Sequence, residues 1–263
     1  MNTESSAAAA HATPRWPDQR RAPRWPQPLR LDLAVALLSL LALVAWEVGG
    51  LDLAVSRHYG TIHGFLWRDA WLTRALLHDG GRALGWCVLA VMVGTALWRT
   101  EDPARRRQHG YWIGITLLCV ALIPTIKRFS ASSCPWDLAE FGGIAAYVPH
   151  WRLGVRDGGP GHCFPSGHAV AAFAFLTLYF DWRALRPRLA RGCLAAVCIA
   201  GVLYGWAQLA RGAHYVSHTL WSAWLCWVVC AAAAWWRTRG AGASELGRPG
   251  SVGVQRDSVV SPR

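Results

Sequence analysis

The chain has 263 residues, 53% of them hydrophobic and only 16% charged, with a formal net charge of +12. Length alone allows one or two soluble domains of about 100–200 residues, but the apolar residues form long blocks and the charges crowd into the gaps and tails, which excludes a soluble globular chain. Eight cysteines, mostly inside those blocks, are too sparse for a secreted disulfide scaffold. Arginines spread over every gap are a poor match to nucleic-acid binding, which gathers charge on one soluble face.

Residues 1–30 carry no apolar core, and Pro14-Arg15-Trp16-Pro17 recurs as Pro23-Arg24-Trp25-Pro26. This reads as a disordered tail, and the block that follows reads as an uncleaved anchor rather than a secretory signal. A helix needs about 20 mainly apolar residues to cross a bilayer. Six blocks qualify, the second and fourth when extended by a turn through small or aromatic residues: Leu31 to Val48, Leu84 to Leu97, Tyr111 to Ile126, His168 to Phe180, Leu189 to Ala210 and His218 to Trp236. None alternates with a period of two, so a barrel wall is excluded. The expectation is an all-α integral membrane bundle of six helices over residues 31–237, followed by a disordered tail over 238–263.

Sidedness follows the basic residues. Of the 27, 18 lie in the two tails, the gap after the second block and the region around the gap after the fourth, with Arg191 counted there. Both termini are therefore expected in the cytoplasm. The 40-residue stretch from Lys127 to Ser166 and the short gap from Arg211 to Ser217 then share the outer face, which is periplasmic if the membrane is a bacterial inner membrane.

Three segments at that face carry chemistry. Lys127, the single lysine of the chain, opens the first, KRFSASSCPWD. An isolated lysine among arginines reads either as a compact point charge needed at that place or as a snorkelling interfacial residue. In the second, Pro165-Ser166-Gly167-His168, proline and a capping serine start a helix and glycine lets a ligand approach the backbone, so an anion site and plain capping both fit. The third, RGAHYVSH, sets His214 and His218 four apart, on one face if the helix starts near His214. Such a pair is either a nucleophile with its orienter or two metal ligands, and Tyr215 after the first histidine breaks the zinc-protease pattern. Together Lys127, Arg128 and Arg211 supply cations, Ser166 and Gly167 donors, and His168, His214 and His218 titratable groups. Cations, donors and histidines without a carboxylate cage describe a phosphate site rather than a divalent-metal site. One imidazole can attack phosphorus while another protonates the leaving oxygen.

These residues resemble the type 2 phosphatidic acid phosphatase (PAP2) superfamily, whose pattern is Lys-x6-Arg-Pro, Pro-Ser-Gly-His and Ser-Arg-x5-His-x3-Asp on six transmembrane helices. Pro165 to His168 match the second motif, Lys127 and Pro135 the first, and Gly212 to Tyr215 with Ser217 the surroundings of the third. The resemblance implies that Lys127, Ser166 and Gly167 bind phosphoryl oxygens. It makes His168 the general acid and His214 the nucleophile that carries a phosphohistidine, with no metal or other cofactor. It departs at Cys134, Ala207, Gln208 and His218, which stand where the pattern has Arg, Ser, Arg and Asp. Arg128 and Arg211 are expected to supply the missing charge and His218 to hold the ring of His214. A shifted register would make His218 the nucleophile.

The function expected is metal-independent hydrolysis of a lipid phosphate or pyrophosphate monoester, with membrane lipids as surroundings. The alternatives are a lipid-phosphate binder or transporter without turnover, and a redox or metal protein using His162, Cys163, His168, His214 and His218. Cys134 and Cys163 share the outward loop, where an oxidising compartment favours a disulfide between them.

Overall fold

The computed structural model describes residues 29–246 apart from 99, 101 and 153. The expectations for residues 1–28 and 247–263 lie outside the described residues. Helix α1 (Leu29–Val48) leads through a short α2 (Leu51–Ser56) and a two-stranded antiparallel turn, Gly60–Thr61 with Gly64–Phe65, to α3 (Leu72–Trp98). The first nine residues of α3, Leu72–Gly80, are wound as a π-helix. There follow α4 (Pro103–Arg128), α5 (Val170–Phe173), α6 (Leu176–Trp182), α7 (Pro187–Ala210) and α8 (Val216–Leu246).

Among the described residues five helices are long and apolar enough to cross a membrane, and the expected sixth is the shorter stretch Val170–Trp182. That stretch is broken at Ala174 and Phe175 by an i→i+3 turn, with Phe175 N–H donating to Ala172 O at 3.0 Å. It needs less length because protein rather than lipid surrounds it: Ala172, Phe173, Ala174, Phe175, Leu176 and Phe180 are all buried. They pack against Trp112, Cys119 and Ile123 of α4 and Cys226 and Cys230 of α8. The last helix runs to Leu246, past the expected boundary at 237.

Buried polar groups in such a bundle need partners. Thr116 of α4 and Thr177 of α6 share a hydrogen bond of 2.6 Å. At the end of the bundle where α4 begins, Arg183 clasps Asp32 through two bonds of 2.8 and 2.9 Å. Asp181 there accepts from Gln108 at 3.0 Å and engages His109 Nδ1 at 2.5 Å.

At the opposite end the caps set the direction of three chain segments. Helix α4, whose start at the far end is capped by the Asp102 carboxylate accepting the Ala104 N–H at 2.9 Å, ends here with Lys127 and Arg128 in its last turn, where cations suit the helix dipole. Helix α7 ends in a Schellman turn: Gly212 N–H donates to Leu209 O at 2.9 Å and Ala213 N–H to Gln208 O at 2.8 Å. Gly212 has φ +72°, and a Cβ there would meet Phe65 at 2.3 Å, so only glycine fits. Helix α8 is capped from α2: Asp52 accepts the Ser217 N–H at 2.9 Å and also the Ser217 hydroxyl.

Candidate active site

The three chemistry-bearing segments meet at this end. Lys127, Gly167, His168, Arg211 and His214 line one cavity of about 400 Å³. Lys127 reaches from α4 to the Pro165–His168 turn, where a Cβ built on Gly167 would lie 3.6 Å from its Cδ and 3.9 Å from its Nζ. The turn is bolted to α8: Ser166 N–H donates to His218 O at 3.0 Å and the Ser222 hydroxyl to Ser166 O at 2.9 Å. Ser166 Oγ accepts the Ala169 N–H at 3.4 Å. Its side chain is fully buried and caps the turn, whereas Gly167 forms the cavity wall.

His168 stacks on His78 at 4.3 Å and its Nε2 lies 3.3 Å from Leu77 O, both on the π-wound turn. His78 in turn engages Asp79 at 2.8 Å. Burial pushes His168 down to about 4, and neighbouring His78 adds to the shift. His214 follows the Schellman turn and is buried. Loss of solvent, then the charge of Lys127, holds its imidazole well below the ordinary histidine range. Its Nδ1 sits 3.5 Å from Cys163 Sγ, and Cys163 is joined to Cys134 in a disulfide with a Cα–Cα distance of 5.2 Å.

Three expected site residues stand outside the cavity: Ser166, whose side chain is turned inward as a cap rather than toward a ligand, Arg128 and His218. Arg128 is exposed and does not line the cavity, because the next position on α4 is turned by about 100° from Lys127. His218 is buried behind the site, with ring centroids 5.3 Å from Phe164, 5.0 Å from Tyr215 and 5.8 Å from both His150 and His214. No hydrogen bond joins it to His214 among the described residues. The helical-face expectation fails because α8 starts at Val216, after His214. Of the five residues named as metal ligands, Cys163 and His214 do come close, and with Cys134 their donor atoms lie within 4.8 Å. The two sulfurs are spent on each other, however, and metal binding needs thiolates.

The cavity also has walls that sequence reasoning passed over. His78, Arg82, Trp86 and Leu89 of α3 all face it, and their spacing of four, four and three is the signature of one helical stripe. Gln208, in the last turn of α7, lines it too, and its Nε2 is buried without a partner among the described residues. No Asp or Glu is among the lining residues. The polar end thus holds Lys127, Arg82 and Arg211. The rest is apolar, with Trp86, Leu89, Val120, Val170 and Phe175, and Trp86 is 61% exposed at the side of the bundle. Such an arrangement binds an anion at one end and hydrocarbon at the other.

Residues 109–240, half of the chain, match the model of the PAP2 superfamily. Among solved structures the chain is similar to "the first transmembrane PAP2 type phosphatidylglycerolphosphate phosphatase from Bacillus subtilis" at 18% identity and a TM-score of 0.46, covering 81% of this chain and 96% of that one. No curated protein matches it.

Proposed function

The chain belongs to the PAP2 superfamily, and from that membership we propose that it hydrolyses a lipid phosphate or pyrophosphate monoester through a phosphohistidine on His214. One observation carries the reading: a cavity with cations, three histidines and no carboxylate at one end continues into an apolar wall. Lys127, Arg82 and Arg211 balance the phosphoryl charge, and the backbone at Gly167 and the Gln208 amide donate to its oxygens. The apolar wall takes the first methylenes of the tail.

With His214 Nδ1 turned toward Cys163, Nε2 is the nitrogen left to attack. Its lone pair forms the N–P bond as the P–O bond to the lipid breaks, and His168 gives its proton to the departing oxygen. Neutral His168 then takes a proton from water, whose oxygen attacks phosphorus and frees His214. Burial keeps His214 neutral and so nucleophilic. A bound phosphoryl dianion raises the pKa of His168 again, so the acid is charged when substrate is present.

The reading places the site on the periplasmic face of a bacterial inner membrane with both termini cytoplasmic. It is supported by Arg105, Arg106 and Arg107 at the start of α4 and Arg183, Arg186 and Arg188 around the start of α7, at the end away from the cavity. A binder without turnover is the second reading, favoured by the lack of a carboxylate beside His214. The test is phosphate release from a panel of lipid phosphates in detergent with EDTA, comparing wild type with His214→Ala and Lys127→Ala. Release by wild type alone supports the enzyme, and tight binding without release supports the binder.

A further inference from the structure

A nucleophilic imidazole must be held in one orientation and one tautomer through its second ring nitrogen. For His214 that partner is not a carboxylate: among the described residues no Asp or Glu hydrogen-bonds to it. The ring of His218 is 5.8 Å away and leaves its own Nδ1 without a partner. What faces His214 Nδ1 is Cys163 Sγ, at 3.5 Å.

Cys163 itself is fixed on every side. It is fully buried, its N–H donates to Ser132 O at 2.9 Å, and its sulfur lies 3.1 Å from Ala213 O. The loop bearing its disulfide partner is tied to the turn before His214, since Trp136 N–H donates to Gly212 O at 2.9 Å. The Cys134 N–H in turn donates to the Asp137 carboxylate at 3.2 Å.

We infer that Cys163, locked by its disulfide to Cys134, is the positioning residue for His214 and makes turnover depend on the oxidised state of the pair. The inference rests on the reading of His214 as nucleophile. A disulfide sulfur has no hydrogen to donate, so it can only accept, and the ring hydrogen stays on Nδ1. Nε2 then keeps its lone pair for phosphorus. Reduction adds two electrons and two protons and leaves two thiols. Cys163 S–H is then a donor facing Nδ1, and it favours the tautomer with the hydrogen on Nε2, which cannot attack.

The test uses the full chain in detergent. Non-reducing peptide mapping first establishes the Cys134–Cys163 link. Steady-state hydrolysis of dioleoyl phosphatidate is then compared before and after treatment with a water-soluble phosphine, which becomes its oxide with oxygen from water as the bridge opens. The expected result is a kcat lower by about tenfold or more with KM within about twofold, reversed on reoxidation. Cys134→Ala/Cys163→Ala, which lacks both the disulfide acceptor and the thiol donor, should have a kcat below the oxidised enzyme and ignore the phosphine. Adding His218→Asp to that pair should recover part of kcat by giving Nδ1 a new acceptor. Nitrogen-15 imidazole shifts should move from the Nδ1–H to the Nε2–H form on reduction.

Free thiols in the isolated protein, an unchanged kcat after verified reduction, a loss confined to KM, or an unmoved tautomer would each overturn the inference. No phosphate release by the oxidised protein would instead sink the phosphatase reading, and the tautomer shift would still decide the positioning.

Discussion

Replacing Gln208 by leucine should move stability and activity in opposite directions. The Gln208 amide nitrogen is buried against the cavity with no partner, and an unsatisfied buried donor costs about 1–3 kcal/mol. Gln208→Leu keeps the volume and removes that donor, while the main-chain carbonyl that accepts from Ala213 at 2.8 Å is untouched. A gain of about 2 kcal/mol raises the unfolding midpoint by about 4–8 °C for a chain of this size. When phosphate is bound the same donor faces a charged oxygen, where a hydrogen bond contributes about 1.5–3 kcal/mol. Its loss should lower kcat/KM about ten- to a hundredfold. Thermal unfolding in detergent and phosphate release on one preparation measure both. A variant that is less stable, or one that keeps full activity, would show that the amide does not point at substrate.

With His168 pushed down to about 4 by burial, it is neutral at pH 7 before substrate binds, so the proton for the leaving group arrives with a phosphate monoanion of second pKa about 6. The pH profile of kcat/KM should therefore fall by about one log unit per pH unit above about pH 7, and an alkaline optimum would contradict this. Lys127→Met should lower kcat/KM about thirtyfold or more, the effect of stripping one partner from a desolvated charge pair, and Lys127→Arg should restore it only in part because a planar guanidinium does not replace a compact ammonium point charge. Arg211→Ala should lose activity while Arg128→Ala stays within about twofold, as read by the same release assay. Asp52→Ala strips the acceptor from Ser217 and from Trp46 Nε1 at 2.8 Å. Detergent melts should show it destabilised by about 3 kcal/mol or more, and Asp52→Asn by less.

Much of the bundle was legible because membrane-spanning helices must be long and apolar, and Lys127, Gly167, His168 and His214 were legible because each sits where such a helix starts or stops. The second block was misjudged at its start. LTRALLHDGGR reads as a polar gap, yet it winds into the first turns of α3 and brings His78 and Arg82 to the cavity. Their spacing with Trp86 was the signal available. Arg128 and His218 stand outside the cavity for a different reason. Nearness along the chain says nothing about direction, and the Gly212 turn ends before α8 begins at Val216, which separates the faces of His214 and His218. Gln208 was noticed as a departure from the family pattern, but that its amide lies unpartnered in the cavity depends on packing that no local pattern encodes.

The most direct measurement is a rapid-quench experiment with a lipid phosphate carrying labelled phosphorus, run with EDTA and followed by peptide mapping. The expected result is acid-labile, base-stable label on the peptide containing His214, formed within one turnover and missing from His214→Ala. Label on a peptide lacking His214, or hydrolysis that persists at the wild-type rate in His214→Ala, would contradict the phosphohistidine mechanism.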